Sequence, residues 1–533
     1  MKKIVSILMA VCLAGTMLSG CGSGGKDGTE AAGTSGVSAE STGGAPAAGA
    51  GTSVTVGITT DPADLSPFAG ASNGRNTMLR QCYEYLLDYS LDGQEKVLAR
   101  EINQVDPCNY EIVLYDYIYD TAGNHLTAED VKFSFETAKS IGKTPAITYL
   151  AGVEVKDEYT VIMTLTGDMA GQFEKLCGGT PVVTKAAFEA SPDGMVTTPV
   201  GTTPYILADF ISGSSYTFAK ADSYWQKDDL VGQCSKANVD KIVFNVITET
   251  SQMAIALETG TIDLAANIDS SEIARFSDKE KYTVNEYYDS LLQVMMFNCD
   301  DGNVFANEDL RKACLYALDV DAMMDAVCNG FALKTNAFAI PFRSDYNKEW
   351  DNEDYFGFNL DTAKEYLSKS GHKEGELTIR IMTDNSSTKN KLAQIMQGYL
   401  LQIGVNSEIL NYDDALYNSY KYDSTQWDII LDNKGSDVNI ALLTLCEDAR
   451  SFENGTANFV HDDKLQAMIE KTSTVAGWNQ ENMDEVEAYL KEKAYVRGLF
   501  HVGKYSVGTS KVKEIAVNTK TNLIPNSCVF EWN

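Results

Sequence analysis

From Ser53 onward, short runs dominated by β-branched and aromatic residues alternate with longer segments whose apolar residues recur every three or four positions. SVTVGIT (53–59) reads as an opening strand, and YEIVLYDYIYD (110–120) and YTVIMTLTG (159–167) read as further strands. Between the last two, TAED (127–130) predicts a capping box on a helix whose apolar face runs Val131, Phe135 and Ala138. TETSQMAIALETGTIDLA (248–265) predicts a helix capped at Thr250 or Ser251, ended by Gly260 and followed by a strand. TKNKLAQIMQGYLLQIGVNSEIL (388–410) repeats that grammar, with Leu392, Ile395, Met396, Tyr399, Leu400 and Ile403 on one face and Gly404 before the strand. The alternation predicts an α/β protein without a fixed-period repeat.

The first fifty residues break this pattern. MKKIVSILMAVCLAGTMLSGC joins two lysines to an apolar stretch, Ile4 to Leu18, that is short for a bilayer span and reads as an export signal. Its end, Leu18-Ser19-Gly20-Cys21, looks like a bacterial lipobox, in which Cys21 would carry the lipid anchor and begin the mature chain after a 1–20 signal peptide. Residues 22–52 are almost wholly Gly, Ala, Ser and Thr, so 21–52 is expected to be a flexible tether, about 30 Å from end to end. The folded body would stand outside the cytoplasm, near a membrane it does not enter.

Composition narrows the choice of partners. The chain has 533 residues, enough for more than one lobe, and carries 43 Lys plus Arg against 75 Asp plus Glu, a net charge of −32. Such a surface repels a phosphate backbone, which excludes nucleic acid as a partner. Of eleven cysteines, Cys12 and Cys21 fall in the leader and an odd nine remain, so they cannot all pair; no C-x-x-C occurs, and Cys314 and Cys328 occupy apolar helical positions suited to buried thiols. The four histidines, His125, His372, His461 and His501, are scattered, which argues against a histidine metal site. No H-E-x-x-H, G-x-S-x-G or G-x-x-x-x-G-K-[ST] is present, so zinc protease, nucleophile-elbow hydrolase and P-loop chemistries lack their parts. No catalytic residue, metal ligand or cofactor is assigned.

Several segments nevertheless occur in a telling order: YEYLLDYSLDGQEKVLARE (83–101), HLTAEDVKFSFE (125–136), PVGTTPY (199–205) followed by YW (224–225), TGTIDLA (259–265), FNCDDGNVFANEDLRKACLYALDVDAMM (297–324) and LDTAKEYLSKSG (360–371). In this order they resemble the family 5 extracellular solute-binding proteins, which serve ABC importers for peptides and nickel chelates. The resemblance implies a two-lobed periplasmic-binding-protein-like α/β fold with an additional inserted domain and the ligand cleft between lobes. Lobe I would comprise 53–90, 198–293 and 506–533, the inserted domain 91–197 and lobe II 294–505. Hinges are expected where the chain crosses between lobes, near 293 and 505, and PVGTTPY is expected to shape a turn rather than to touch ligand.

The function so implied is capture without turnover: a membrane-anchored monomeric receptor closes its lobes on a small ligand, a di- or oligopeptide, and delivers it to permease subunits. The alternatives are an oligosaccharide or a metal chelate on the same fold, or an exported glycosidase-like enzyme; only five Trp are available as sugar-stacking platforms. WDIILDNKGSD (427–437) carries the site expectation. In the peptide binders it resembles, a strand leads into a Gly-Trp-x-x-Asp-Tyr turn whose aspartate pairs with the ligand's α-amino group. Aligning the strands puts Asp437 on that aspartate, with Lys434, Gly435 and Ser436 beside it. Asn433 and Lys434 replace Gly-Trp, and Val438 and Ala441 stand where Tyr and Pro are usual, so the aromatic wall is missing and a cation is added. Thr59, Thr60 and Asp61, at the end of the first strand, are the candidates for the facing wall.

Overall fold

The computed structural model describes residues 51–70, 73–90, 93–144, 146–436, 438–443, 458–518 and 522–532. The signal peptide, Cys21 and nearly all of the tether lie outside the described residues, as does Asp437.

Eleven strands form one large sheet, here labelled in chain order: β1 (Ser53–Ile58), β2 (Tyr205–Ile211), β3 (Ser215–Lys220), β4 (Lys241–Val246), β5 (Leu264–Ile268), β6 (Tyr282–Phe297), β7 (Ala332–Lys334), β8 (Thr378–Thr383), β9 (Asn406–Asn411), β10 (Ile429–Lys434) and β11 (Val496–Thr509). Their spatial order is β9-β8-β10-β6-β11-β5-β1-β4-β3-β2, with β7 pairing on β11. At one end β1 runs parallel to β4 and β5, and at the other β8 runs parallel to β9 and β10. The long antiparallel pair β6 and β11 joins these two parallel groups. A separate four-stranded antiparallel sheet is built from Ala99–Asp106, Asn109–Leu114, Leu150–Asp157 and Thr160–Leu165.

Apolar burial follows the same division. One large cluster draws on Leu292 through Phe500, and a second joins β1, β4 and the four-stranded sheet to the C-terminal Val512–Cys528. A small third cluster, including Met253, Leu257 and Tyr505, lies under β5 and β11. Ala170 is the exception. It is distant in sequence from the first cluster yet packs into it, 7% exposed. Beside it, Ala170 N–H donates to Ser473 O at 2.7 Å and the Asp168 carboxylate accepts from Val475 N–H at 2.9 Å, so the 168–171 loop clasps the second half of the molecule. Asn329 Nδ2 donates to Ser270 Oγ at 3.3 Å, a second bridge between the two parallel groups.

Local signals explain most elements. The Asp130 carboxylate accepts from Thr127 N–H at 2.7 Å and from its Oγ1 at 3.0 Å, the capping box starts helix Ala128–Ile141, and Val131, Phe135 and Ala138 are fully buried. Helix Ser387–Gln402 buries Leu392, Met396 and Leu400, and Gly404 turns out of it with φ 75°. Two expectations shift. Helix Thr250–Glu258 is preceded by Glu249 as N-cap rather than by Thr250 or Ser251, which lie inside its first turn. The strand expected over 110–120 spans only Asn109–Leu114, because the chain turns at 116–117 and Tyr119 then pairs in an isolated bridge with His125 instead of continuing the ladder. Cys314 and Cys328 are buried free thiols.

Candidate functional site

A cavity of about 380 Å³ opens at the carboxyl ends of β1 and β5, where open α/β sheets bind ligands because helices and loops leave the strand ends uncovered. The chain leaving β1 contributes Thr59 and Thr60, and β5 contributes Ala266 and Asn267. Asn267 adopts φ 58°, a left-handed conformation that Asn tolerates better than most residues, and its Oδ1 accepts from Tyr287 O–H at 3.3 Å. Thr77, from helix Asn73–Cys82, and Asn522 add further neutral polar groups.

The opposite wall is Asp289, Ser290 and Leu291 of β6 together with Lys504 of β11. Here the β6–β11 ladder slips: Tyr288 pairs with Gly503 but Leu292 pairs with His501, so three residues of β6 face one of β11. Two bonds hold this bulge. Asp289 Oδ1 accepts from Leu291 N–H at 3.0 Å, and Asp289 O accepts from His501 Nδ1 at 2.8 Å. A carbonyl can only accept, so Nδ1 carries the proton. Burial, with Arg343 nearby, pushes the His501 pKa down to about 4, which keeps the ring neutral. Behind the bulge, Tyr288 stacks on Phe342 with centroids 6.4 Å apart, and Phe331 lies against both Tyr288 and Tyr505.

The turn after β10 sits directly behind this wall. A Cβ at Gly435 would lie 2.7 Å from Leu291 Cδ2, so glycine allows the turn to close on the bulge. Ser436 O accepts from Arg343 Nε at 2.6 Å. Lys434 Nζ lies 2.7 Å from Asp432 Oδ2 on its own strand, within a buried cluster in which Lys389 and Lys421 approach the same carboxylate at 3.8 and 3.9 Å. Burial raises the Asp432 pKa, but the three ammoniums outweigh it and hold the group below the usual carboxylate range.

The sequence-predicted residues therefore separate. Thr59 and Thr60 line the cavity, Gly435 touches its wall residue Leu291, and Ser436 and Lys434 face Arg343 and Asp432. Asp61 turns back onto its own half, where Oδ1 accepts from Tyr216 O–H at 2.6 Å and from Ala63 N–H at 3.0 Å; these bonds overcome the opposing effect of burial and lower its pKa. Asp289, Lys504, Asn267 and Asn522 were not anticipated. The available signal was HVGKYSVG (501–508), a lysine next to a glycine within a strand rich in Val and Gly. Among the described residues no group of three or more His, Cys, Asp or Glu is placed to hold a metal. No helix among them is long and apolar enough to cross a membrane.

A polar cavity at parallel strand ends, walled by the two long strands that tie both halves together, defines a two-lobed α/β binding protein. The sequence profile of the bacterial extracellular solute-binding proteins, family 5 Middle, matches residues 96–445, and the chain belongs to this family. It is 24% identical over 356 residues to the nickel-binding protein NikA of Staphylococcus aureus, covering 64% of this chain and 66% of that one. It is also 24% identical over 314 residues to a putative ABC transporter peptide-binding protein of Brucella ovis, covering 56% and 57%. These alignments thus span two thirds or less of the relatives' own lengths. The crystal structure of a putative peptide-binding protein AppA from Clostridium difficile shares the fold, with TM-score 0.76, 19% identity and coverage of 90% of this chain and all of that one.

Proposed function

We propose that the chain is an extracytoplasmic receptor that captures a di- or oligopeptide between its lobes and presents it to the permease of an ABC importer. The observation that carries this reading is the cavity lining. Thr59, Thr60, Thr77, Asn267, Ser290 and Asn522 offer hydroxyl and amide groups that can both donate and accept, as an extended peptide backbone requires. By name the relatives bind nickel or peptides; with no metal-holding cluster among the described residues, a nickel ligand would have to arrive already chelated. Lobe closure is proposed to bend β6 and β11 at the bulge, and the LSGC end of the leader supports lipid attachment at Cys21.

A ligand screen tests the reading. Dipeptides or short oligopeptides are expected to raise the melting temperature and lower the radius of gyration in small-angle scattering. Silence from peptides, beside a response to an oligosaccharide or a nickel–histidine complex, would overturn it. Mass spectrometry of the membrane fraction is expected to find an acylated N-terminal Cys21, and an abundant soluble product cut elsewhere would refute the anchor.

A further inference from the structure

We infer that Glu487 and Asn336 hold a single sodium ion in a small cavity remote from the ligand site, where it fixes the segment that braces the ligand wall. The inference does not depend on which ligand the receptor captures.

This second cavity, about 20 Å³, is lined from helix Gln480–Lys493, from the start of β11 and from the chain that follows β7. It has room for one water-sized occupant. Glu487 is 2% exposed, and its Oε1 accepts from Phe338 N–H at 2.9 Å. Its other oxygen, Oε2, is buried and meets no donor among the described residues. Asn336, on the same cavity, repeats the feature. Its N–H donates to Asp351 Oδ1 at 3.2 Å and its Nδ2 to Asp351 O at 3.1 Å, which fixes the amide and leaves Oδ1 buried without a donor. Two free acceptors on one small cavity call for an occupant that is positive or donates hydrogen.

The surrounding charges decide between these. Arg497 and Asp354, also on the cavity, are committed to each other and to backbone: Arg497 Nη2 donates to Asp354 Oδ1 at 2.9 Å, and Nη1 donates to Leu315 O and Phe356 O at 3.2 Å. Lys491 Nζ donates to Trp350 O at 3.3 Å and stands 3.8 Å from Glu487 Oε1, beyond hydrogen-bond reach. Burial raises the Glu487 pKa, Asp351 and Asp484 add to the effect, and Lys491 opposes it only in part. A water would satisfy both oxygens and leave this buried charge unanswered, whereas a cation does both. A divalent ion fits poorly, because Arg497 and Lys491 repel a second charge and such ions draw on several carboxylates. Oxygen donors alone select a hard ion, and the water-sized volume favours sodium over the larger potassium. The site also has a place in the receptor's framework. The segment that Glu487 holds at Phe338 N–H continues to Ile340 N–H, which donates to Asn439 Oδ1 at 2.7 Å, and to Arg343 Nε on Ser436 O, behind the bulged wall of the ligand cavity.

The test melts the full chain near neutral pH in sodium, potassium or choline chloride at one ionic strength. The net charge of −32 attracts all three cations at long range, so an effect tied to Glu487 separates a site from this atmosphere. The wild type is expected to melt at least about 1 °C higher in sodium than in choline, with potassium between them; a tenfold excess of ion over its dissociation constant has that effect on a chain of this length. Hydrogen exchange is expected to slow across 336–340 in sodium and to stay unchanged in the four-stranded sheet. Glu487→Gln keeps an acceptor for the Phe338 N–H and removes the charge, and it is expected to abolish both differences. Asn336→Ala is expected to shrink them several-fold, and this variant decides should the first not fold. Equal melting temperatures of the wild type in sodium and choline would overturn the inference and leave Glu487 to a proton or a water. A sodium effect that survives both substitutions would overturn it equally, by placing the ion elsewhere.

Discussion

At the scale of single residues, His501 is where protonation meets structure. Its folded pKa, about 4, lies below the ordinary 6.5, so between those values the unfolded chain binds the proton and the folded chain does not. Stability contributed by the neutral ring is therefore complete above about pH 6.5 and lost as pH falls toward 4. At pH 5 the loss is about 2 kcal/mol, and His501→Gln is expected to flatten that part of a melting-temperature profile recorded from pH 7 to pH 5. A profile for the variant as steep as that of the wild type would locate the acid sensitivity elsewhere. Gly503, two residues on, is equally constrained. Its N–H donates to Phe331 O at 3.0 Å, and a Cβ there would intrude on the Phe331 ring. Gly503→Ala is expected to destabilise the fold by about 1–3 kcal/mol in urea titration, the range for overpacking. Thr59 and Thr60 were legible because a strand end announces itself in the local pattern. Asp289 and Lys504 were not, because their meeting depends on a slipped ladder between segments over two hundred residues apart, and a bulge of this kind leaves no periodic trace in either strand.

Among elements, those with local causes were read most accurately. The capping box at Thr127 and the glycine after helix Ser387–Gln402 are encoded within a few residues, and both are present in the structure. The strand expected over 110–120 was overlong because aromatic content suggests strand propensity even where a turn at 116–117 interrupts it. The 168–171 clasp lies beyond local reasoning, since its partners Ser473 and Val475 are remote in sequence. Gly171 has φ 76°, and a Cβ on it would lie 2.6 Å from Val438 Cγ2. If the clasp helps to hold the closed form, Gly171→Ala is expected to weaken ligand binding several-fold while leaving every cavity residue in place. Small-angle scattering should then show a smaller ligand-induced decrease in radius of gyration than in the wild type. Unchanged affinity and unchanged compaction would make the clasp irrelevant to closure.

For the whole molecule, charge governs approach more than fold. A net charge of −32 sets up a field that draws in cationic peptides and leaves zwitterions unaffected at long range. Stopped-flow association of a lysine-containing peptide is expected to slow as ionic strength rises from about 0.01 to 0.15 M, over which the Debye length shrinks from about 30 to 8 Å, whereas a neutral-side-chain dipeptide should change little. Identical salt dependence for both would show that the surface field does not steer entry.

The continuous sheet has a mechanical consequence. β6 and β11 run unbroken from one parallel group to the other, and the slipped register at Asp289–Leu291 is the wider of two places on this beam where the ladder departs from regular pairing, the other lying at Gln293–Val294. The same three residues form the cavity wall. On the closure proposed above, fulcrum and ligand contact would coincide, so a displacement of a fraction of an ångström where the ligand touches would be magnified along the lever arms into a much larger travel at the lobe tips. In such an arrangement the ligand need not pull the lobes together from their rims; it acts at the pivot, and the distance it moves there is geared up into the shape that a permease can read.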